Sequence, residues 1–190
     1  SFYASVNQLL SPVSMLNLGF GITKRVGELS DPYKLRDIRP GKRLERTLTA
    51  NYRRYFDWQT SSLAVDYRYF WDSYSVGAHT LAMSWMLGDE AGVQWGPMLR
   101  YYSQSAAAFY TPWDRYDQLE TIAQSSDFRL STFGAVSYGL KARYRIGAVQ
   151  ISMQYERYDS GSGYALSSAK TEHPGLVDFE VLSLGAEYRF

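Results

Sequence analysis

Residues 62–71 read SLAVDYRYFW. Leu63, Val65, Tyr67, Tyr69 and Trp71 share one parity, and Ala64, Asp66 and Arg68 share the other. An extended chain with this period of two has one apolar and one polar face, whereas an amphipathic helix needs apolar positions three and four apart. The stretch predicts a strand lying between two different media.

The same period recurs outward along the chain. Residues 75–87 set Leu81, Met83, Trp85 and Leu87 against Thr80, Ala82 and Ser84. Residues 46–57 set Leu48, Ala50, Tyr52 and Phe56 against Thr47, Thr49, Asn51, Arg53 and Asp57. Residues 13–24 oppose Leu16, Leu18, Phe20 and Ile22 to Asn17, Gly19, Gly21 and Thr23, and residues 1–10 read as the end of one more strand. Residues 93–104 alternate Val93, Trp95, Leu99 and Tyr101 with Gln94, Arg100 and Gln104. Pro97 is awkward there, because proline has no N–H to give to a central ladder. Residues 128–144 oppose Leu130, Val136, Tyr138, Leu140 and Tyr144 to Ser131, Ser137, Lys141 and Arg143. Val149, Ile151, Met153 and Tyr155 then face away from Gln150, Ser152, Gln154 and Glu156. Residues 178–190 put Leu182, Leu184, Ala186, Tyr188 and Phe190 on one side, with Ser183, Gly185, Glu187 and Arg189 on the other.

The connections carry as much information as the strands. Counted back from the C-terminal end they fall at 159–177 (long), 145–147 (short), 106–127 (long) and 88–91 (short). They continue with a tight turn at 72–74, then 58–61 (short), 25–45 (long) and 11–12 (short). Short turns on one side and long polar loops on the other are the asymmetry of a transmembrane barrel. The expected fold is all-β, an antiparallel transmembrane β-barrel with about 8 to 10 strands visible. Residues 1–190 are one such domain or the C-terminal part of a larger barrel. The expected compartment is a bacterial outer membrane, crossed by many strands, with the C-terminus on the short-turn, periplasmic side. Trp58, Trp85, Trp95, Tyr188 and Phe190 then fall near the periplasmic boundary, and Trp71, Tyr69 and Tyr101 near the opposite one. Two aromatic girdles emerge. Bacterial single-chain barrels have even strand numbers with both ends in the periplasm, so either residues 1–10 are preceded by another strand or they are not a strand.

Composition narrows the alternatives. Twenty Lys and Arg against nineteen Asp and Glu leave a net charge of +1, which gives no global attraction for nucleic acid. The absence of cysteine excludes disulfides, thiolate metal sites and cysteine nucleophiles. The longest uninterrupted apolar run, AAAFY, is five residues, far short of the roughly 18 of a spanning helix. Any crossing of a membrane is therefore made by strands. The chain has no initiating Met and no signal peptide, and reads as a mature form or a fragment.

Apolar residues at alternate positions before the terminal Phe190 resemble the signal by which Gram-negative outer-membrane barrels are handed to their assembly machinery. The stretches GELSDPYK (27–34), LRYYSQSAAAFY (99–110), FRLSTFGAVSYGLK (128–141) and HPGLVDFEVLSLGAEYRF (173–190) add to this. Together they resemble the C-terminal half of a bacterial outer-membrane family known only as a domain of unknown function, thirty-five seventy in its series. The resemblance implies a longer barrel and supplies no catalytic residues, substrate or cofactor.

The charged residues of the polar parity are Arg53, Asp57, Asp66, Arg68, Arg100, Lys141, Arg143, Glu156, Glu187 and Arg189. They face the lumen in this reading, either lining an aqueous pore and setting its ion preference or pairing across strands in a plugged interior. The loop at 24–45 holds seven basic and four acidic residues, which makes lipopolysaccharide phosphates a candidate partner, although a merely solvated loop has the same composition. The histidines are His79 and His173. His79 reads as a girdle residue and His173 as a turn residue, and neither stands in a serine or metal motif. No glycine-rich phosphate cradle is present. The expected role is a non-enzymatic outer-membrane passage, or a scaffold for envelope proteins, with neither cofactor nor nucleic acid. The surroundings would be outer-membrane lipid and lipopolysaccharide, with the barrel-assembly machinery as insertion partner. The alternatives are an outer-membrane enzyme with its site at the extracellular rim, or a soluble ligand-binding β-barrel.

Overall fold

The computed structural model describes residues 1–34, 36–89, 91–117, 119, 121–168 and 172–189. Nine strands follow one another in a single antiparallel sheet of order β1 to β9. They are β1 (Phe2–Ser11), β2 (Ser14–Val26), β3 (Lys42–Phe56), β4 (Ser61–Asp72), β5 (Gly77–Met86), β6 (Val93–Gln104), β7 (Phe133–Ile146), β8 (Val149–Gly161) and β9 (Phe179–Tyr188). The only helical elements among the described residues are 3-10 turns at Trp58–Thr60, Phe128–Leu130 and Ser162–Tyr164. No helix is long and apolar enough to cross a membrane, which says nothing of strands. The four short connections share one end of the sheet, the turn end. The long ones share the loop end with the 73–76 turn.

Because cross-strand partners share a face, the register shows whether the parities of separate strands agree. Val6, Leu18, Ala50, Tyr67, Leu81, Tyr101 and Val136 form one unbroken row from β1 to β7. Leu140, Tyr155 and Leu182 carry the same face to β9. A row on the opposite face crosses all nine strands: Asn7, Asn17, Asn51, Asp66, Ala82, Arg100, Ser137, Tyr158 and Phe179. The apolar face is the more exposed one. Leu182 and Leu184 are 63% and 74% accessible, while Ser137 on the polar face is 4%. Such burial is that of a sheet curled toward its polar side.

The fold's hydrophobic core lies at the loop end, where Tyr74, Val76, Ala107 and Leu130 pack with Leu29, Phe70, Phe109 and Tyr110. This corrects the reading of residues 128–132 as strand. The Asp127 side chain accepts a hydrogen bond from Arg129 N and starts a 3-10 turn, which drops Leu130 into the loop core. Pro97 does sit in a central strand. Its missing N–H falls where the β5–β6 ladder breaks, between Ser84↔Met98 and the isolated bridge Leu87↔Trp95. Gly96 permits a close approach there, since a Cβ would lie 1.6 Å from Trp85 O.

The sheet departs from the expected closed barrel. β1 pairs with β2 alone and β9 with β8 alone. In a nine-strand antiparallel meander all odd strands point the same way, so β1 and β9 run in the same sense and no antiparallel ladder can join them.

Candidate functional site

The most enclosed part of the polar face lies near the loop end. β6 supplies Arg100, Tyr102 and Gln104, β7 supplies Phe133, and β8 and β9 supply Tyr158 and Phe179. The 105–132 connection folds back and adds Arg129. These residues line a cavity of about 490 Å³. A second cavity of about 210 Å³ shares Tyr102, Gln104 and Arg129 and adds Arg43, Arg68 and Phe70. Neither is lined by a carboxylate among the described residues.

Gln104, 5% accessible, fixes the floor. Its Nε2 donates to Arg129 O at 3.0 Å and Ser131 O at 2.6 Å, and its Oε1 accepts from Tyr102 Oη at 2.5 Å. Tyr102 packs beside Phe133 with ring centres 5.5 Å apart, and Tyr158 stacks on Phe179 at 4.7 Å. These four rings stand on the parity that carries Arg68 and Arg100.

The acids nearby are already held. Asp127 Oδ2 meets Arg129 Nη2 at 2.6 Å and Arg39 Nη2 at 2.8 Å, and Arg129 also reaches Asp31 at 3.2 Å. Burial alone would raise the Asp127 carboxyl, but the hydrogen bonds from Arg129 and then Arg39 bring it down to about 2. Asp72 accepts from Tyr74 N and Val76 N, both at 2.9 Å, and from Arg43 Nε at 2.7 Å. Arg68 and Arg100 have no carboxylate in ion-pair reach among the described residues. Arg68 lies 5.7 Å from the Phe70 ring centre. The two arginines flank Tyr102: Arg68 shares a cross-strand row with it through Thr80, and Arg100 precedes it by two on the same face of β6.

Of the charged residues read from sequence, the register puts Arg53, Asp66, Arg68, Arg100, Lys141, Arg143, Glu156 and Glu187 on the polar face. Of these, only Arg100 lines the 490 Å³ cavity and only Arg68 the 210 Å³ one. Arg53 pairs with Asp66 at 2.7 Å, and Arg189, just past β9, with Glu187 at 3.2 Å. Lys141 and Arg143 line a separate 390 Å³ hollow with Gln154 and Ser183. Asp57 follows β3 at the turn end.

The apolar parity carries its large rings at both ends. Trp85 lies 6.3 Å from Trp58 and 5.9 Å from Phe56, with Trp95 and Tyr188 exposed at the same end. Trp71 stacks on Tyr69 at 5.2 Å, and Tyr69 on His79 at 4.7 Å. Phe190 lies outside the described residues. His173 is elsewhere: its Nε2 is 3.0 Å from Ser126 O, and its Nδ1 accepts from Gly175 N at 2.9 Å.

The sequence profile of a family described as a protein of unknown function (DUF3570) matches residues 1–172. The chain belongs to this family. No curated protein and no solved structure matches the chain. The DUF3570 match includes eight of the nine strands and ends before β9. Every residue named above as lining the two loop-end cavities, except Phe179, lies inside it.

Sequence reading missed Arg129, Arg43, Tyr102, Phe133, Tyr158 and Phe179 as site residues. The signal for the rings was present: aromatic residues out of parity, all toward the same end of their strands.

Proposed function

We propose that the chain forms the wall of a Gram-negative outer-membrane β-barrel, with its apolar face against lipid and its polar face enclosed. The short turns and the C-terminal end lie on the periplasmic side. The protein serves as a passage for solutes, or as a membrane-embedded scaffold for envelope partners, without chemistry of its own. The observation that carries this reading is a charge-bounded apolar band on the more exposed face. On β3 the apolar parity runs Leu48, Ala50, Tyr52 between Arg46 and Arg54. That interval is eight residue steps, about 26 Å along a strand and about 20 Å of height at the strand tilt of outer-membrane barrels, comparable with their roughly 25 Å apolar band. A soluble ligand-binding barrel would bury these side chains. The rings at the two ends of the band fit aromatic girdles at the two water interfaces.

An even-numbered barrel needs an odd number of strands beyond these nine, and the nine are then one part of a larger wall. A wall of that size favours an aqueous interior over a plugged one.

The natural absence of cysteine makes a direct test simple. Leu81→Cys and Ala82→Cys, adjacent on β5 and on opposite faces, are labelled with a fluorophore in the full protein reconstituted into liposomes. Brominated lipid should quench the label at 81 and aqueous iodide the label at 82. The reverse pattern, or a protein that stays dissolved without detergent, overturns the membrane reading. Planar-bilayer recording separates the two roles, since a protein that never passes current is a scaffold.

A further inference from the structure

We infer that the arginine-lined cup at the loop end binds a small organic anion made of a flat ring bearing an oxyanion, with Arg68 and Arg100 contacting the charge. The inference deepens the reading above by naming the solute class met on the enclosed face. Its first support is charge. Two guanidinium groups without a carboxylate partner among the described residues flank Tyr102, while Asp127 is occupied by Arg39 and Arg129, Asp72 by Arg43, and Asp66 by Arg53. A guanidinium recognises a carboxylate or phosphate-type oxyanion through paired N–H donors.

The second support is the apolar wall. Tyr158 stacked on Phe179 and Tyr102 packed on Phe133 present flat surfaces on the face that also carries Arg68 and Arg100. A bare inorganic ion has no use for them, whereas an aryl group gains by covering them. Volume is the third: the cavity that Arg100 lines, about 490 Å³, falls within the roughly 300–1,000 Å³ of small-molecule sites, and it shares Tyr102, Gln104 and Arg129 with the 210 Å³ cavity that Arg68 lines. The cup is also prebuilt. Gln104 ties β6 to the carbonyls of Arg129 and Ser131, so the floor does not have to be ordered when a ligand arrives.

The cup opens on the polar face, which selects a dissolved anion over a lipid headgroup. Phenylphosphonate is a suitable probe, titrated calorimetrically into the full protein in detergent, with inorganic phosphate, benzyl alcohol and a short-chain phosphatidic acid as comparison arms. Phenylphosphonate should bind saturably and at least tenfold more tightly than the other three. Arg100→Gln and Arg68→Gln should each weaken it about tenfold and Tyr158→Leu several-fold, while Lys141→Gln, on the same face outside the cup, leaves it unchanged. A folded Arg68→Gln/Arg100→Gln protein that binds like the parent overturns the proposal. So does equal binding of inorganic phosphate, of benzyl alcohol or of the phosphatidic acid, and so does absence of binding by the folded parent. Lipid quenching at position 81 without phenylphosphonate binding removes the cup and leaves the barrel. Arginine-dependent binding by a protein that needs no detergent removes the barrel and leaves the cup.

Discussion

Asn51 donates from Nδ2 to Asn17 Oδ1 at 3.0 Å, and Asn17 passes the interaction on to Asn7 Oδ1 at 2.7 Å. The three amides occupy one cross-strand row on β1, β2 and β3, with Asn17 acceptor and donor at once between the donor Asn51 and the acceptor Asn7. Asn17→Leu removes both bonds and leaves the half-buried Asn51 amide and the exposed Asn7 amide without that partner. A loss of about 2 kcal/mol is expected at about 1 kcal/mol per bond, read from the urea midpoint of Trp fluorescence. Asn17→Gln, whose longer amide cannot hold the same register, should restore less than half.

The faces should differ in their tolerance of charge. Leu184 pairs with Met153 on the apolar face, and Ser183 pairs with Gln154 on the polar one. If the apolar face meets lipid, Leu184→Arg costs about 2–4 kcal/mol near mid-bilayer and lowers the folded fraction in liposomes. Ser183→Arg, one residue away, leaves that fraction unchanged. Equal effects would remove the lipid-facing interpretation.

Gly96 has no room for a side chain. A Cβ there would meet the carbonyl oxygen and carbon of Trp85, backbone atoms that cannot rotate away. Gly96→Ala is expected to destabilise by more than about 2 kcal/mol through overpacking. Gly92→Ala, with open space around it, should fold as the parent does, and a gel-mobility assay of folded against unfolded protein compares the two.

Acid should loosen the loop core through Asp127. Its folded carboxyl, at about 2, lies below the ordinary 3.8. The stabilisation is therefore fully present above about pH 4 and is lost as pH falls toward 2. Nearly two units correspond to about 2 kcal/mol. Hydrogen exchange at the Leu130 amide, bonded to Asp127 O, should gain protection between pH 2 and 4 beyond the intrinsic exchange rate. Asp127→Asn should lack that gain, since it cannot ionise.

Much of the sheet was legible because its faces differ so sharply. The parity of Leu63, Val65 and Tyr67 against Asp66 and Arg68 is set by local sequence, and the register preserves it across β4 and β5. Pro97 was harder, because a ladder break that accommodates it is made by the neighbouring strand. Residues 128–132 alternate like a strand, yet Asp127 captures Arg129 N and turns them, a side-chain bond that periodicity does not see. The cup was least legible. Arg68 and Arg100 stood out by parity, but Arg129 arrives from a loop, and Phe133 and Phe179 become neighbours of Tyr102 and Tyr158 only after the strands are aligned. The ion pairing of Asp127 and Asp72, which frees Arg68 and Arg100, depends on contacts between residues as far apart as Arg39 and Asp127.

Every strand in this sheet lies beside its neighbour in sequence, so the ribbon can lengthen hairpin by hairpin without waiting for a distant partner. Its two selvedges, β1 and β9, share one sense and cannot be zipped to each other by the stitch used everywhere else. Both borders present bare amides and carbonyls, the template on which extended chains aggregate. If the sheet is one wall of a larger barrel, its biogenesis is limited at that last join, and an escort that masks those borders would matter more to yield than any increase in the speed of the earlier steps.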